Sequence, residues 1–158
     1  MMQDSDRVLT RLAELGLTLP SPPGPVAMYQ PAVVVGDHLF LSGQIPLRDG
    51  ALLATGAVPS RVDPETATAC ARQCVLNALA AAKAELGSLE RIARVVKLGV
   101  FVASDPGFGG QPQIANGASE LLVEIFGDAG RHVRAAVGVS ALPLDATVEI
   151  EFTMLVRG

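Results

Sequence analysis

The chain has no tryptophan, one tyrosine and five phenylalanines. Bases stack on aromatic faces, so platforms for single-stranded nucleic acid are scarce. Charged residues make up 18 % of the 158 residues, and acids outnumber bases 16 to 12, a formal net charge of −4. A groove that tracks phosphates needs clustered cations, so no nucleic-acid partner is expected. No apolar run reaches the roughly 18 residues of a membrane span. The start, MMQDSDRV, lacks the basic-then-apolar order of a secretion signal, so no membrane partner and a cytoplasmic location are expected. Two cysteines are too few for a disulfide framework and fit a reducing compartment. Only two histidines, His38 and His132, join Cys70 and Cys74 as soft ligands. The thiols sit four apart in an Ala-rich stretch and the imidazoles lie far off in sequence. The expectation is small buried thiols and solvated histidines, with no metal site. Walker and G-x-S-x-G motifs are missing as well.

What is present is apolar: 49 % of the residues, with a mean hydropathy of +0.39. That is high for one small domain and suggests apolar surface buried between subunits. Residues 4–16 read as a short helix, capped by Asp4 or Ser5 and ended by Gly16. Four prolines in residues 20–25 form a stiff connector. We divide the chain into this N-terminal segment, 1–25, and one domain, 26–158. Residues 32–35 and 39–42 flank a Gly36-Asp37 turn and make a hairpin. Asp49-Gly50 is a second turn, with a short strand around 52–54. Asp63-Pro64-Glu65 starts a long helix that Gly87 ends. Ser88 caps one further turn. A buried strand over 93–103, a glycine-rich loop, a helix over 112–126 and strands over 133–141 and 147–156 complete the order. Long helices between strands, with hairpins at both ends, predict an α+β fold: a mixed sheet packed on one face by two long helices. The other face lacks cover within one chain, and oligomerisation would supply it.

Candidate functional residues are polar ones set in apolar surroundings. Arg134 begins a strand, and its planar fork suits two-bond capture of a carboxylate, with a surface salt bridge as the plain alternative. Glu149 alternates with apolar neighbours on the last strand, beside Glu151; a solvated strand face is the alternative. Gly43, after Ser42, would let a ligand approach the backbone, unless the pair is only a strand-ending turn. Tyr29 is a packing residue or a site residue at even weight. Asn116 is a poor helix former inside a predicted helix, where a surface position would also explain it.

The segments LFLSGQIP (39–46), DPETATACARQCVLNAL (63–79) and RAAVGVSALPLDATVEIEF (134–152) resemble the RidA/YjgF family of reactive-intermediate enamine/imine deaminases, also labelled L-PSP endoribonucleases. The similarity spans about residues 26–157. It implies a chorismate-mutase-like fold and a homotrimer with sites in the clefts between subunits. By the resemblance, Arg134 matches the arginine that grips a substrate carboxylate, and Glu149 the glutamate associated with the reactive water. Gly43, after Ser42, faces the ligand, and Tyr29 stands at the family tyrosine's distance before Ser42. Asn116 lines the cleft, with one extra residue between it and Arg134. Ala136 departs from the cysteine that many family deaminases carry. The N-terminal helix and the 105–113 loop place the chain in a longer subgroup.

The implied chemistry is hydrolysis of 2-aminoacrylate or 2-iminopropanoate to a 2-keto acid and ammonia. Arg134 would hold the carboxylate and Glu149 would handle water and proton. Imines hydrolyse readily, so no cofactor is expected. The rival readings are a non-catalytic module that binds a small carboxylic acid such as a 2-keto acid, and, less favoured, an endoribonuclease. If strands 133–141 and 147–156 pair as a tight hairpin, Arg134 lies roughly 13–17 Å from Glu149 along it. The site is then expected to join neighbouring subunits.

Overall fold

A computed structural model describes residues 6–22, 24 and 28–158. Helix α1 spans Arg7–Glu14 and buries Val8 and Leu12. Asp4 and Ser5, the expected caps, lie outside the described residues, and the cap is Asp6. Its Oδ1 accepts the N–H groups of Val8 and Leu9. Its Oδ2 accepts Ser88 Oγ–H and Leu89 N–H. One carboxylate thus satisfies orphan donors of two helical turns and ties the N-terminal segment to the body.

Strands β1 (Ala32–Val35) and β2 (His38–Gln44) form the expected hairpin, with Val35 opposite His38. A two-stranded ribbon follows, β3 (Leu47–Arg48) with β4 (Ala51–Leu52), around Asp49-Gly50. The strand expected at 52–54 therefore ends at Leu52. Helix α2 runs Pro64–Leu86, with Asp63 Oδ1 accepting Thr66 N–H at 2.8 Å. Helix α3 runs Gln111–Phe126. The two helices approach closely at Gly117, where a Cβ would lie 2.6 Å from the Thr68 carbonyl oxygen.

Strands β5 (Ile92–Ala103), β6 (Val133–Val139) and β7 (Val148–Val156) join the hairpin in a five-stranded sheet, ordered β1-β2-β7-β5-β6. Strands β2, β5 and β6 run one way, β1 and β7 the other. Leu98, Val100, Ile150, Phe152 and Met154 are buried beneath the two helices. Fully burying a side chain such as Phe152 contributes about 1.5–3 kcal/mol. The opposite sheet face stays open: Val35, Phe40, Val133 and Val137 are 44–67 % exposed. The α+β reading and the single helical layer hold.

The C-terminal hairpin does not form. Strand β6 pairs in parallel with β5, and β7 lies on β5's other side. The reason is the crossover: α3 packs on the sheet and returns the chain beside β5, as parallel strands joined by a helix do. Residues 140–147 then pass over the end of β5, where Ala103 N–H donates to the Thr147 carbonyl and Ser104 N–H to that of Val139. A tight turn could not span that intervening strand.

Candidate functional site

Alternation on the edge strand β6 decides where Arg134 goes. It lies opposite the buried Leu98, so its side chain faces the helical layer. There Nη1–H donates to Ser119 Oγ at 2.9 Å and Nη2–H to the Pro112 carbonyl at 3.0 Å, both on α3. Both acceptors are neutral. None of the ion pairs among the described residues includes Arg134. The salt-bridge alternative for this residue is therefore set aside. The guanidinium has five N–H groups, and three remain after these two bonds. Helix α3 can begin this close to β6 because residue 138 is glycine. A Cβ there would sit 2.7 Å from Gln111 Nε2.

Two residues beside Arg134 were not assigned to its site from sequence: Ser119 was not singled out, and His132 was weighed only as a metal ligand. His132 was expected to be solvated; it is half-buried, with both ring nitrogens engaged. Nδ1 lies 2.7 Å from the Gly130 carbonyl, which can only accept, so Nδ1 carries the proton. Nε2, 2.9 Å from Ser119 Oγ, is then the acceptor of the serine hydroxyl. Burial lowers the His132 pKa, the nearby Arg134 charge lowers it further, and the Gly130 bond works the other way. The available signal was the spacing: residue 132, just before the strand, is two residues from Arg134, the spacing that puts side chains on one side of an extended backbone. Asn116, three residues before Ser119, is exposed on α3.

Glu149 occupies the other face. It stands opposite Phe101 on β5, while its neighbours Val148 and Ile150 are buried in the core. Its carboxylate rests on Gly43, where a Cβ would lie 2.0 Å from Glu149 Oε1. Ser42-Gly43 does not end β2. Between Leu41 and Gln44 the register shifts by one residue against β7, a bulge in a strand that continues to Gln44. Ser42 Oγ–H donates to the Gln30 carbonyl at 2.6 Å, and Ser42 N–H to that of Pro31 at 2.9 Å. This ties down the segment that carries Tyr29, itself 61 % exposed. Burial raises the Glu149 pKa above the usual carboxylate value, and the neighbouring Glu151 adds to it. Thiol chemistry has no footing nearby. Cys70 is pushed up to about 11 by burial, and Cys74 is raised in the same direction by the same cause. Among the described residues no three His, Cys, Asp or Glu side chains gather as a metal site.

The candidate residues therefore form two groups. Arg134 and Asn116 belong to the β6–α3 edge; Glu149, Gly43, Ser42 and Tyr29 to the β2–β7 region. Two strand spacings and three residues of offset put the Arg134 and Glu149 backbones about 14 Å apart. The expected separation survives, but the pairing behind it does not, and the two side chains point to opposite faces. Two grooves lie between the N-terminal segment and α2, against Leu9, Leu19, Pro22 and Ala84, and neither includes Arg134 or Glu149.

Residues 9–154 match the family model described as "YjgF/chorismate_mutase-like, putative endoribonuclease". The chain is 43 % identical over 148 residues to Protein TCP17 of Trypanosoma cruzi, covering 93 % of this chain and 92 % of that protein. It is 29 % identical over 141 residues to a 2-iminobutanoate/2-iminopropanoate deaminase of Dermatophagoides farinae, covering 89 % and 95 %. The crystal structure of protein Atu1372 from Agrobacterium tumefaciens superposes with a TM-score of 0.91 at 44 % identity, covering 97 % of this chain and 94 % of that one.

Proposed function

The chain belongs to the YjgF/chorismate-mutase-like family, and we propose that it hydrolyses small imines of 2-keto acids, of the 2-aminoacrylate/2-iminopropanoate type. The observation that carries this reading is Arg134: a half-buried guanidinium, held by two neutral acceptors and lacking a counter-charge among the described residues. Such a group supplies an orienting charge for a carboxylate. A relative named as an imine deaminase supports the substrate class.

In the proposed reaction Arg134 grips the carboxylate and so fixes the adjacent C=N carbon. Water attacks the iminium carbon: Glu149 takes a proton from the water as its oxygen bonds to that carbon, and the C=N electron pair moves to nitrogen. In the carbinolamine Glu149 returns that proton to the amine. The carbon–nitrogen bond breaks as the hydroxyl oxygen closes the C=O bond, and the hydroxyl proton leaves with the ammonia as ammonium. The products are the 2-keto acid and ammonia, with no redox change. A carboxyl whose pKa lies above its ordinary value suits this two-way traffic. Tyr29, Ser42, Gly43 and Asn116 would complete the binding surface. Because Arg134 and Glu149 face opposite sides of one sheet, the reading requires a second chain. We assign the open sheet face to a homotrimer, with Arg134 of one subunit completing the site of the next.

A second reading has its own support: the Arg134 corner is an anion anchor, and Glu149 of its own chain lies on the other face of the sheet. In that case the protein binds a 2-keto acid without turnover. The acid surplus and scarce aromatics weigh against the RNA cleavage in the family's description. The test is ammonia and keto-acid release from freshly generated 2-aminoacrylate, with sedimentation measured alongside. Wild type is expected to accelerate release and Arg134→Ala to lose at least about 30-fold, as truncating one partner of a charge pair does. Equal rates for both proteins overturn the catalytic reading, and saturable 2-ketobutyrate binding without turnover establishes the second.

A further inference from the structure

Beyond the residues assigned to the reaction, the β6–α3 edge contains a hydrogen-bond chain with one direction. Arg134 Nη1–H donates to Ser119 Oγ, Ser119 O–H to His132 Nε2, and His132 Nδ1–H to the Gly130 carbonyl. Gly130 fixes the direction, because a carbonyl only accepts. With its proton committed to Nε2, the serine can offer Arg134 nothing but lone pairs. A hydroxyl left to itself could rotate and present its proton to the guanidinium instead. Each bond in such a chain polarises the next.

The geometry points to Ser119 and His132 as positioning residues that hold the Arg134 guanidinium in the orientation that receives a ligand carboxylate. This rests on the reading of Arg134 given above. The relay is built from three elements. His132, just before the edge strand, and Arg134, two residues on, both reach Ser119. Ser119 meets both from α3. Gly130 is packed against that helix, where a Cβ would lie 2.2 Å from the Leu122 carbonyl oxygen. The carbonyl that sets the tautomer is thus fixed by backbone packing. The second bond of Arg134, to Pro112, comes from the first turn of the same helix, so α3 fixes two of the five guanidinium N–H groups.

Two properties separate positioning from plain stability. First, the effect passes through a charge, so it acts on a carboxylate ligand and spares its uncharged amide. Second, Ser119 and His132 act in series, so removing both weakens binding no more than removing one. The experiment measures binding of 2-ketobutyrate and of 2-ketobutyramide to the whole protein by calorimetry, with melting temperatures recorded alongside. Ser119→Ala is expected to weaken 2-ketobutyrate about tenfold, the scale of one hydrogen bond to a charged group. Ser119→Thr, which keeps the hydroxyl, stays within about twofold of wild type on the same scale. His132→Ala matches Ser119→Ala, and His132→Gln, which keeps an acceptor near the Nε2 position, recovers most of the loss. Amide binding is unchanged throughout. Should Ser119→Ala fail to fold, His132→Ala and His132→Gln carry the same comparison. Wild-type affinity for 2-ketobutyrate in Ser119→Ala and His132→Ala, with Arg134→Ala inactive in binding, overturns the relay and leaves Arg134's role standing. Multiplying losses in the double variant, or equal losses for acid and amide, also overturn it. Unchanged binding in Arg134→Ala removes the reading beneath it.

Discussion

The two corners of the candidate site are built by opposite means. Arg134 is held by bonds: two acceptors on α3 orient it, and a histidine stands behind one of them, the serine hydroxyl. Glu149 is held by contact: its carboxylate lies against a glycine on a bulged strand, and nothing larger than hydrogen fits there. The cation gains direction from its two acceptors. The anion is pushed toward its neutral form by burial and by Glu151. An anchor for a carboxylate needs the first arrangement, and a group that must pick up and release a proton gains from the second. The contrast predicts that binding and turnover can be disabled separately.

The sharpest break should come from Glu149→Gln. It keeps the shape and removes the proton carrier, so kcat for imine hydrolysis is expected to fall by about 10²- to 10⁴-fold, the usual range for general acid–base groups. Calorimetric affinity for 2-ketobutyrate should stay near wild type, since Arg134 is untouched. Loss of both together would merge the two corners into one.

Gly43→Ala should have the next largest effect. The new methyl would meet the Glu149 carboxylate well inside contact distance, and the side chain must move. A displacement of about 1 Å at a reacting group can lower rates by about 100-fold. Steady-state assays should show that fall in kcat, while 2-ketobutyrate still binds at the Arg134 corner. A fully active Gly43→Ala protein would mean that Glu149's position does not matter.

The smallest effect is thermodynamic. In the folded protein the Glu149 carboxyl has a pKa raised above its ordinary 4.5. Over the window from 4.5 up to that raised value, the folded state binds more protons than the unfolded state. Stability therefore falls as pH rises through the window, and the charged carboxylate remains destabilising above it. Glu149→Gln should melt slightly higher than wild type at neutral pH, with the gain vanishing below about pH 4.5, the ordinary carboxyl value. Melting curves of both proteins from pH 4 to 8 would show it. A constant difference across that range would contradict the cause assigned to the shift.

Much of the local structure was legible in the residues. Asp63-Pro64-Glu65 marks the start of α2 and Gly87 its end, because capping and left-handed backbone are local demands. The β1–β2 hairpin follows from a Gly-Asp turn between apolar runs. The open sheet face followed from counting helices against strands. The pairing of β6 with β7 was misjudged, since nearness in sequence favours a hairpin while α3 carries β6 to the far side of β5. Ser119 escaped notice for a related reason. A lone serine on a helix has no pattern, and its partners, His132 just before β6 and Arg134 within it, are 13 and 15 residues away.

By itself the chain's order of residues determined which segments are helical or extended, where they stop, and that Glu149 and Arg134 interrupt apolar strands. Those are properties of a few consecutive dihedrals and of side-chain periodicity. Only the tertiary structure decided that the two charges face opposite sides of the sheet. A strand's periodicity divides its residues between two faces, but which face meets the helices depends on strand order and crossovers, and those are settled by the packing of the whole chain.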